Sequence, residues 1–307
     1  MNSINASSVQ QIRARVNRTL TKGVQIDMST EECKKFLRRH VNTKKKFVIM
    51  FTDINDSTAM SFSLPNEKFA ALIRTIAQEI SIAISGYGGY VFKYEGDAVI
   101  SLFPAEYDQV SACKNAEFEL GTHTDCGEET VIVMEGTVEV TINNRQKRLV
   151  QGEMALVPEM EPHNFKNVGS KKAKVMGLDC SRAVLEIVRN IINPAFKMNG
   201  LPEIAVRTGL AYGFALVVLY GRNLKAAHID IVGSSISIAA KIASIARPNQ
   251  ILVGEHIYNI LLSTAAKDSA YYKNILSKVG LDRDKWKYLS RSNTGGTYQV
   301  YEYLETY

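Results

Sequence analysis

The stretch FKYEGDAVISLF, residues 92–103, has the pattern of two strands joined by a tight turn. Its centre is unusual, because a lysine, a glutamate, a glycine and an aspartate interrupt an otherwise apolar run. Gly96 precedes Asp97, whereas the common two-residue turns place asparagine or aspartate before glycine. The pattern predicts a hairpin with Asp97 at the mouth of a core strand and Lys93 one strand-end away.

A second carboxylate follows another apolar strand, KFVIMFTDI, where Asp53 stands at the strand end. Carboxylates at the ends of central strands can hold hard cations such as Mg²⁺. Two such cations can activate a hydroxyl and neutralise a leaving pyrophosphate. Aspartate is also common in turns, so either residue alone is best explained as a turn residue. Asp53 and Asp97 together, in these contexts, favour a metal site.

Composition sets broad limits on the function. The chain has 307 residues, of which 46% are hydrophobic, and its formal net charge is +6. This mild excess of positive charge admits anionic ligands such as nucleotides and does not call for nucleic acid. The four cysteines lack zinc spacing, and the longest apolar run, GLAYGFALVVLYG, is shorter than the about 20 residues of a membrane-spanning helix. The N-terminal residues lack an apolar signal core. We therefore expect a cytoplasmic protein with no membrane segment.

Residues 1–46 form a polar, basic N-terminal segment. One hypothesis is a patch that faces phosphates or a membrane. The favoured alternative is a solvated helix face followed by a basic linker. The basic residues are Lys34, Lys35, Arg38, Arg39, Lys44, Lys45 and Lys46.

Periodicity predicts a discontinuous domain with an insert. A helix pattern covers residues 64–89 and another begins near residue 106, but from 117 to 177 short alternating strands replace helix signals. When this middle is removed, Ala116 joins Leu178 and the apolar positions on both sides share one helical face. These positions are Val110, Cys113, Leu178, Leu185, Val188 and Ile192. The sequence predicts an all-β insert at 117–177 within a domain formed by residues 47–116 and 178–307.

The second half of the host domain contributes further strands and a helix. Patterns typical of strands cover residues 203–213, 214–221 and 228–233, followed by a helix at 234–246 and a strand at 249–254. The predicted class is α+β, a mixed sheet with helices on it.

Three of these stretches together resemble the class III nucleotidyl cyclase catalytic domain. They are FTDINDST, GGYVFKYEGDAVISLF and HIDIVGSSISIAAKIASIARPNQILVGEHIY, in this order and spacing. The resemblance covers residues 47–116 and 178–303. It implies a ferredoxin-like fold and a homodimer with active sites at the interface. It also implies an adenylate cyclase-like phosphorus–oxygen lyase that converts ATP to cyclic AMP with two Mg²⁺ or Mn²⁺ ions per site.

The resemblance also implies roles for individual residues. Asp53 and Asp97 would bind the two cations, assisted by the carbonyl of Ile54. Lys93 and Asp230 would recognise the adenine edge, since a lysine donor and an aspartate acceptor suit its N1 and amino groups.

Three positions depart from the family's pattern. Ser237 stands where the family has a catalytic asparagine, Lys241 replaces the usual arginine, and Phe214 replaces a phosphate-binding arginine. Serine can still donate a hydrogen bond, but lysine cannot reproduce the two-pronged guanidinium contact. Slow turnover, an altered substrate and an inactive nucleotide-binding domain remain open. The retained metal and base positions favour a weak but active cyclase.

The insert is similar to the cupin superfamily of small β-barrels. HTDCGEETVIVMEG and GEMALVPEMEPHNFKN match its two motifs, with Asp125 at a histidine position and Met160 at a glycine position. The candidate ligands for a transition metal are His123, Asp125, Glu129 and His163, a mixed nitrogen and oxygen set. The alternative is a barrel-mouth histidine and a turn aspartate with no metal.

Three functions follow from these patterns. The first is a cyclase, regulated by a ligand or metal in the insert that changes the dimer geometry. The second is a sensor module that binds a nucleotide or another small ligand without turnover. The third is a cupin metalloenzyme with the other domain as scaffold, which the short insert and the missing histidine argue against.

Overall fold

The computed structural model divides the chain into two compact units, Met1–Phe103 with Val175–Tyr307, and Pro104–Lys174. The structure describes residues 6–22, 30–104, 129–132, 137–142, 145–150, 154–157, 163–167, 176–221, 227–262, 266–282, 286–290 and 296–304.

The first unit contains both helices and strands. In chain order they are α1 (Ala6–Lys22), α2 (Glu31–Arg38), β1 (Lys44–Ile54), α3 (Ser57–Ser63), α4 (Asn66–Gly86), β2 (Tyr90–Glu95) and β3 (Ala98–Pro104). The second unit contributes β4 (Glu129–Ile132), β5 (Thr137–Ile142), β6 (Arg145–Val150), β7 (Met154–Val157) and β8 (His163–Asn167). The first unit resumes with α5 (Met176–Ile187), a π-helical turn (Val188–Ile192), α6 (Asn193–Met198), β9 (Val206–Tyr220), β10 (His228–Val232), α7 (Ser234–Ile245), β11 (Ile251–Gly254), α8 (Glu255–Leu262), α9 (Ala266–Ile275), β12 (Leu276–Lys278) and β13 (Val300–Tyr303).

The first unit is built on one eight-stranded sheet of order β12-β13-β11-β9-β1-β3-β2, with β10 paired to β9. β1 and β9 are antiparallel from Lys44↔Leu216 to Ile54↔Val206, whereas β11 is parallel to β9. This mixed sheet with helices confirms the predicted α+β class.

The sheet has a core on each side, because side chains of β1 alternate between its faces. Val48 and Met50 face a cluster with residues of α1, α4 and α5. Phe47 and Ile49 face the other cluster, with residues of α2 and α7. β1 is therefore an interior strand packed on both faces, and its end carries Asp53.

Helix α4 forms as predicted from its three- and four-residue apolar spacing. Leu72, Ile76 and Ile80 are buried, and the helix begins after Pro65. Among the described residues it is the one helix whose length and composition would let it cross a membrane. Half of its most apolar window is buried inside the protein, which is also expected of an ordinary core helix.

The prediction of two strands over residues 203–221 is wrong, because β9 is one continuous strand. Gly213, the last residue of the first predicted strand, lies within β9 opposite Phe47, where a Cβ would come within 3.1 Å of the Cβ of Ser235. The glycine therefore permits the close approach of α7 rather than a turn.

Gly209 has a similar role two turns further along α7. A Cβ at this position would overlap the backbone of Ala243 and come within 2.7 Å of the carbonyl oxygen of Ala239. Helix α7 therefore packs directly on the backbone of β9.

The N-terminal segment consists, where it is described, of two packed helices and the start of β1. In α1, Val16 is buried and Arg15 pairs with Glu79 of α4, whose side chain is 1% exposed. In α2, Cys33 and Leu37 are buried. The prediction of a basic linker is therefore wrong for Lys44–Lys46, which belong to β1.

We expect the thiol of Cys33 to be inert in the folded protein. It is 1% exposed, and burial raises its pKa from 9.0 to about 12. The thiolate fraction falls about tenfold for each unit of pKa, so alkylation at neutral pH should slow by roughly 10³-fold. Iodoacetamide labelling followed by peptide mass spectrometry should modify this cysteine only after unfolding in guanidinium. Rapid labelling of the native protein at Cys33 would contradict the burial of α2.

The second unit consists of strands over its described residues. β4 pairs with β7, and β5 pairs with both β6 and β8, all antiparallel. This pattern agrees with the expected all-β insert.

Candidate functional site

Asp53 and Asp97 meet at one end of the sheet. Asp53 is the penultimate residue of β1, and Asp97 lies in the hairpin between β2 and β3. The backbone N–H of Ile54 donates to Oδ2 of Asp97 at 3.2 Å, which connects the two segments directly. Burial raises the pKa of Asp53, and the neighbouring charge of Asp97 raises it further, while the hydrogen bond from Arg207 opposes both.

The hairpin places Asp97 through a two-residue loop. Glu95 pairs with Ala98, so only Gly96 and Asp97 lie between the strands. Gly96 has φ +65°, a conformation that glycine adopts without steric cost. The order Gly-Asp therefore puts the flexible residue first and leaves the aspartate beside the end of β1.

Arg207 is a member of this site that the sequence analysis missed. It lies directly opposite Asp53 in the β1–β9 register. Its Nε and Nη2 donate to Oδ2 of Asp53 at 2.9 and 2.6 Å. The available signal was a charged residue within the apolar pattern IAVRTGLAYG.

The two carboxylates fit a hard divalent cation. Their oxygens are the ligands that Mg²⁺ prefers, with its remaining positions filled by water and phosphates. Like charges held this close repel, which adds to the effect of burial on the pKa of Asp53, and a cation would relieve that repulsion. Within the described ranges no cluster of three or more His, Cys, Asp or Glu side chains is placed to hold a metal. The site therefore needs ligands from a substrate or water.

Lys93 and Asp230, predicted to read a base, are in contact. Nζ of Lys93 lies 2.7 Å from Oδ2 of Asp230, and the two side chains are 31% and 22% exposed. Nζ also lies 4.7 Å from the centre of the Phe92 ring. Nε2 of His228 is 3.5 Å from the same Asp230 oxygen, a contact that the sequence analysis missed. The pair is accessible and oriented by its neighbours.

Ser237 and Lys241 lie one turn apart on α7, so both face the same way. Ser237 is exposed and Lys241 is half-buried. Phe214 is 53% exposed, and Nζ of its cross-strand partner Lys46 lies 5.0 Å from its ring centre. Seven residues of extended strand, roughly 23 Å, separate Phe214 from Arg207. The structure therefore does not bring Phe214 next to Asp53 within one chain.

The metal site proposed for the insert falls largely outside the described residues. His123 and Asp125 are not among them. Glu129 begins β4 and His163 begins β8, and these strands belong to separate hydrogen-bonded sheets. The four-ligand site remains a prediction.

Comparison with known proteins identifies the fold. The adenylyl cyclase CyaB from P. aeruginosa matches with a TM-score of 0.52 and 15% identity, covering 86% of this chain and 96% of that one. The catalytic core of a rhodopsin-guanylyl cyclase with converted specificity, in complex with ATPalphaS, matches with a TM-score of 0.50 and 13% identity. The match covers 86% of this chain and 98% of that one. The guanylyl cyclase Cya2 matches with a TM-score of 0.50 and 11% identity, and the match covers 86% of this chain and 93% of that one. At these low identities the TM-scores and coverages show a shared fold, that of class III adenylyl and guanylyl cyclase domains.

The insert is supported separately. Residues 114–179 match the family model described as a cupin domain. No curated protein sequence gives a significant match. The predicted composition, a class III cyclase fold that contains a cupin segment, is confirmed.

Proposed function

We propose that the protein is a nucleotidyl cyclase that converts ATP to cyclic AMP and pyrophosphate. The observation that carries the proposal is the meeting of Asp53 and Asp97, in a fold shared with cyclase domains. This arrangement matches what two-metal chemistry on a nucleoside triphosphate requires.

In the proposed reaction the 3′-oxygen of ATP attacks the α-phosphorus in line. The new O3′–Pα bond closes the ring as the bond from Pα to the bridging oxygen breaks, and the hydroxyl proton passes to water. Asp53, Asp97 and the Ile54 carbonyl would hold two Mg²⁺ or Mn²⁺ ions. Such ions lower the pKa of the attacking hydroxyl and neutralise the leaving pyrophosphate.

The other site residues serve binding and charge stabilisation. Lys93 would donate to N1 of adenine and Asp230 would accept from its amino group, once their mutual ion pair opens for the base. Ser237 and Lys241 would donate to the phosphates as negative charge develops. We place these residues and the proposed cation ligands, Asp53 and Asp97, on complementary halves of a homodimer interface, as the family resemblance implies.

Regulation by the cupin insert is part of the proposal. The chain enters the insert after β3, the strand that follows Asp97, and leaves it into α5. A Cβ at Gly177 of α5 would lie 2.7 Å from Cγ1 of Val48 in β1. Both connections therefore lead to elements that position the two aspartates. A ligand or transition metal in the insert can act on the cyclase if it favours one geometry of these elements. We further propose a cytoplasmic location, where ATP is supplied.

A sensor without turnover is the second candidate. Two observations favour it: Ser237 is exposed, and Phe214, which stands where the family has a phosphate-binding arginine, packs against Lys46 instead. Such a module would bind a nucleotide through Lys93 and Asp230.

The decisive experiment measures cyclic nucleotide formation. The full chain is incubated with ATP, GTP, CTP or UTP, each with Mn²⁺ or Mg²⁺, and products are separated by chromatography. Cyclic AMP from ATP is the expected result. Another cyclic nucleotide would retain the enzyme class and overturn the adenine assignment. A folded dimer that binds nucleotide and forms no product would favour the sensor.

We expect activity to rise when α7 is restored to the family's pattern. The double variant Ser237→Asn/Lys241→Arg should increase kcat for ATP about 10-fold, because a guanidinium offers two parallel donors and an amide donates more rigidly than a hydroxyl. The control is Ser244→Asn, an exposed serine two turns further along α7, which should leave kcat unchanged. A double variant no faster than the parent would show that these side chains are not the limiting ones.

A further inference from the structure

Arg207 occupies one oxygen of a residue that we propose as a cation ligand. Two of its three nitrogens, Nε and Nη2, donate to Oδ2 of Asp53. A carboxylate oxygen has two lone pairs in its plane, so these two hydrogen bonds use the acceptor capacity of Oδ2. Oδ1 is the oxygen that Arg207 does not engage.

The pairing is fixed by the backbone. Arg207 and Asp53 are direct cross-strand partners in the longest ladder of the sheet, and their side chains are 29% and 23% exposed. The guanidinium neutralises one of two carboxylates that would otherwise face each other uncompensated. It therefore stabilises the end of β1 when no cation is present.

We propose that Arg207 and a divalent cation compete for Oδ2 of Asp53, so that Arg207 sets the cation affinity of the site. This inference rests on the proposed cation site of Asp53 and Asp97. A cation that binds Oδ2 must displace the guanidinium, and the cost of breaking that ion pair is subtracted from the affinity of the cation.

Competition predicts opposite changes in two measurements. Removing the guanidinium should lower the thermal stability of the metal-free protein, because Asp53 and Asp97 then repel without compensation. The same change should strengthen cation binding, because Oδ2 becomes available. If Arg207 only stabilised the fold, its removal would lower both the stability and the cation affinity. Opposite changes in the two therefore identify a positioning role.

The experiment titrates Mn²⁺ into the full chain without nucleotide and follows free Mn²⁺ by electron paramagnetic resonance. In Arg207→Gln we expect about 3- to 5-fold tighter binding, the upper range for a partly exposed ion pair, and a lower melting temperature without metal. Arg207→Lys keeps the charge but cannot donate two parallel hydrogen bonds to Oδ2, so Mn²⁺ binding should tighten about 2-fold. The control is Arg247→Gln, which removes an exposed ion pair with Glu302 and should leave Mn²⁺ affinity unchanged.

The outcomes separate this inference from the proposed function. Asp97→Asn must abolish the tight Mn²⁺ site in the parent, which locates the cation. If the parent binds Mn²⁺ and both Arg207 variants bind it equally or more weakly, the competition is overturned and the cation site stands. If neither the parent nor the variants bind Mn²⁺ in a manner that depends on Asp97, the cation site and the competition both fall. Binding that appears only in Arg207→Gln supports the competition most directly.

Discussion

Asp97→Asn should reduce cyclic AMP formation by on the order of 10³-fold, because an amide cannot replace the charge that holds the cations. The fold should survive, since the side-chain oxygen of the introduced asparagine can still accept the hydrogen bond from the Ile54 N–H. Repulsion with Asp53 is also removed, so the metal-free melting temperature should stay equal or rise. Product chromatography and thermal denaturation measure the two effects.

The matched control for this variant is Asp56→Asn. Asp56 is an exposed aspartate three residues beyond Asp53, with φ 56°, a conformation that asparagine tolerates well. The Asp56→Asn variant should retain cyclic AMP formation within about 2-fold of the parent. Equal losses in the two variants would mean that any charge change in this loop impairs the protein, and the specific role of Asp97 would be rejected.

The second large effect is expected at the base-reading pair. Lys93→Ala and Asp230→Ala should each lower kcat/KM for ATP by on the order of 10²-fold, since a site built to hydrogen-bond a base loses one contact and leaves the other group unpaired. GTP turnover should change less, so the preference for ATP over GTP should narrow. Initial rates with both nucleotides measure this ratio.

A double-mutant cycle tests whether the two residues act as a unit. Nζ of Lys93 and Oδ2 of Asp230 lie 2.7 Å apart. The double alanine variant should therefore lose less transition-state binding energy, measured from kcat/KM, than the two single variants added together. Lys278→Ala is the control, an exposed lysine on β12 at the opposite edge of the sheet. An unchanged ratio of ATP to GTP turnover in all variants would place base recognition elsewhere.

Local patterns predicted the elements that carry most of the candidate site. The apolar strand before Asp53, the hairpin around Gly96 and the period of α4 all follow from short-range spacing, and the structure contains each of them. Such patterns work because burial of one face constrains neighbouring residues directly.

The missed features depend on pairing between distant parts of the chain. Arg207 meets Asp53 because the β1–β9 register aligns residues far apart in sequence, and no local pattern fixes a register. The sequence predicts two strands that meet at Gly213, whereas the glycine lies within β9 and admits α7. Arg15 in a polar helix gave no sign that it would pair with the buried Glu79. In each case tertiary packing decides what the residue does.

The close contact between Gly209 and α7 has a consequence for motion. With no space for even a methyl group at this point, α7 cannot slide or tilt on β9 without steric overlap. The helix bearing Ser237 and the strand end bearing Asp53 should therefore move as one rigid body. In the proposed homodimer a rotation of one subunit against the other would carry both elements together. We expect such a rotation to change the relative position of the residues that each subunit contributes to a shared active site.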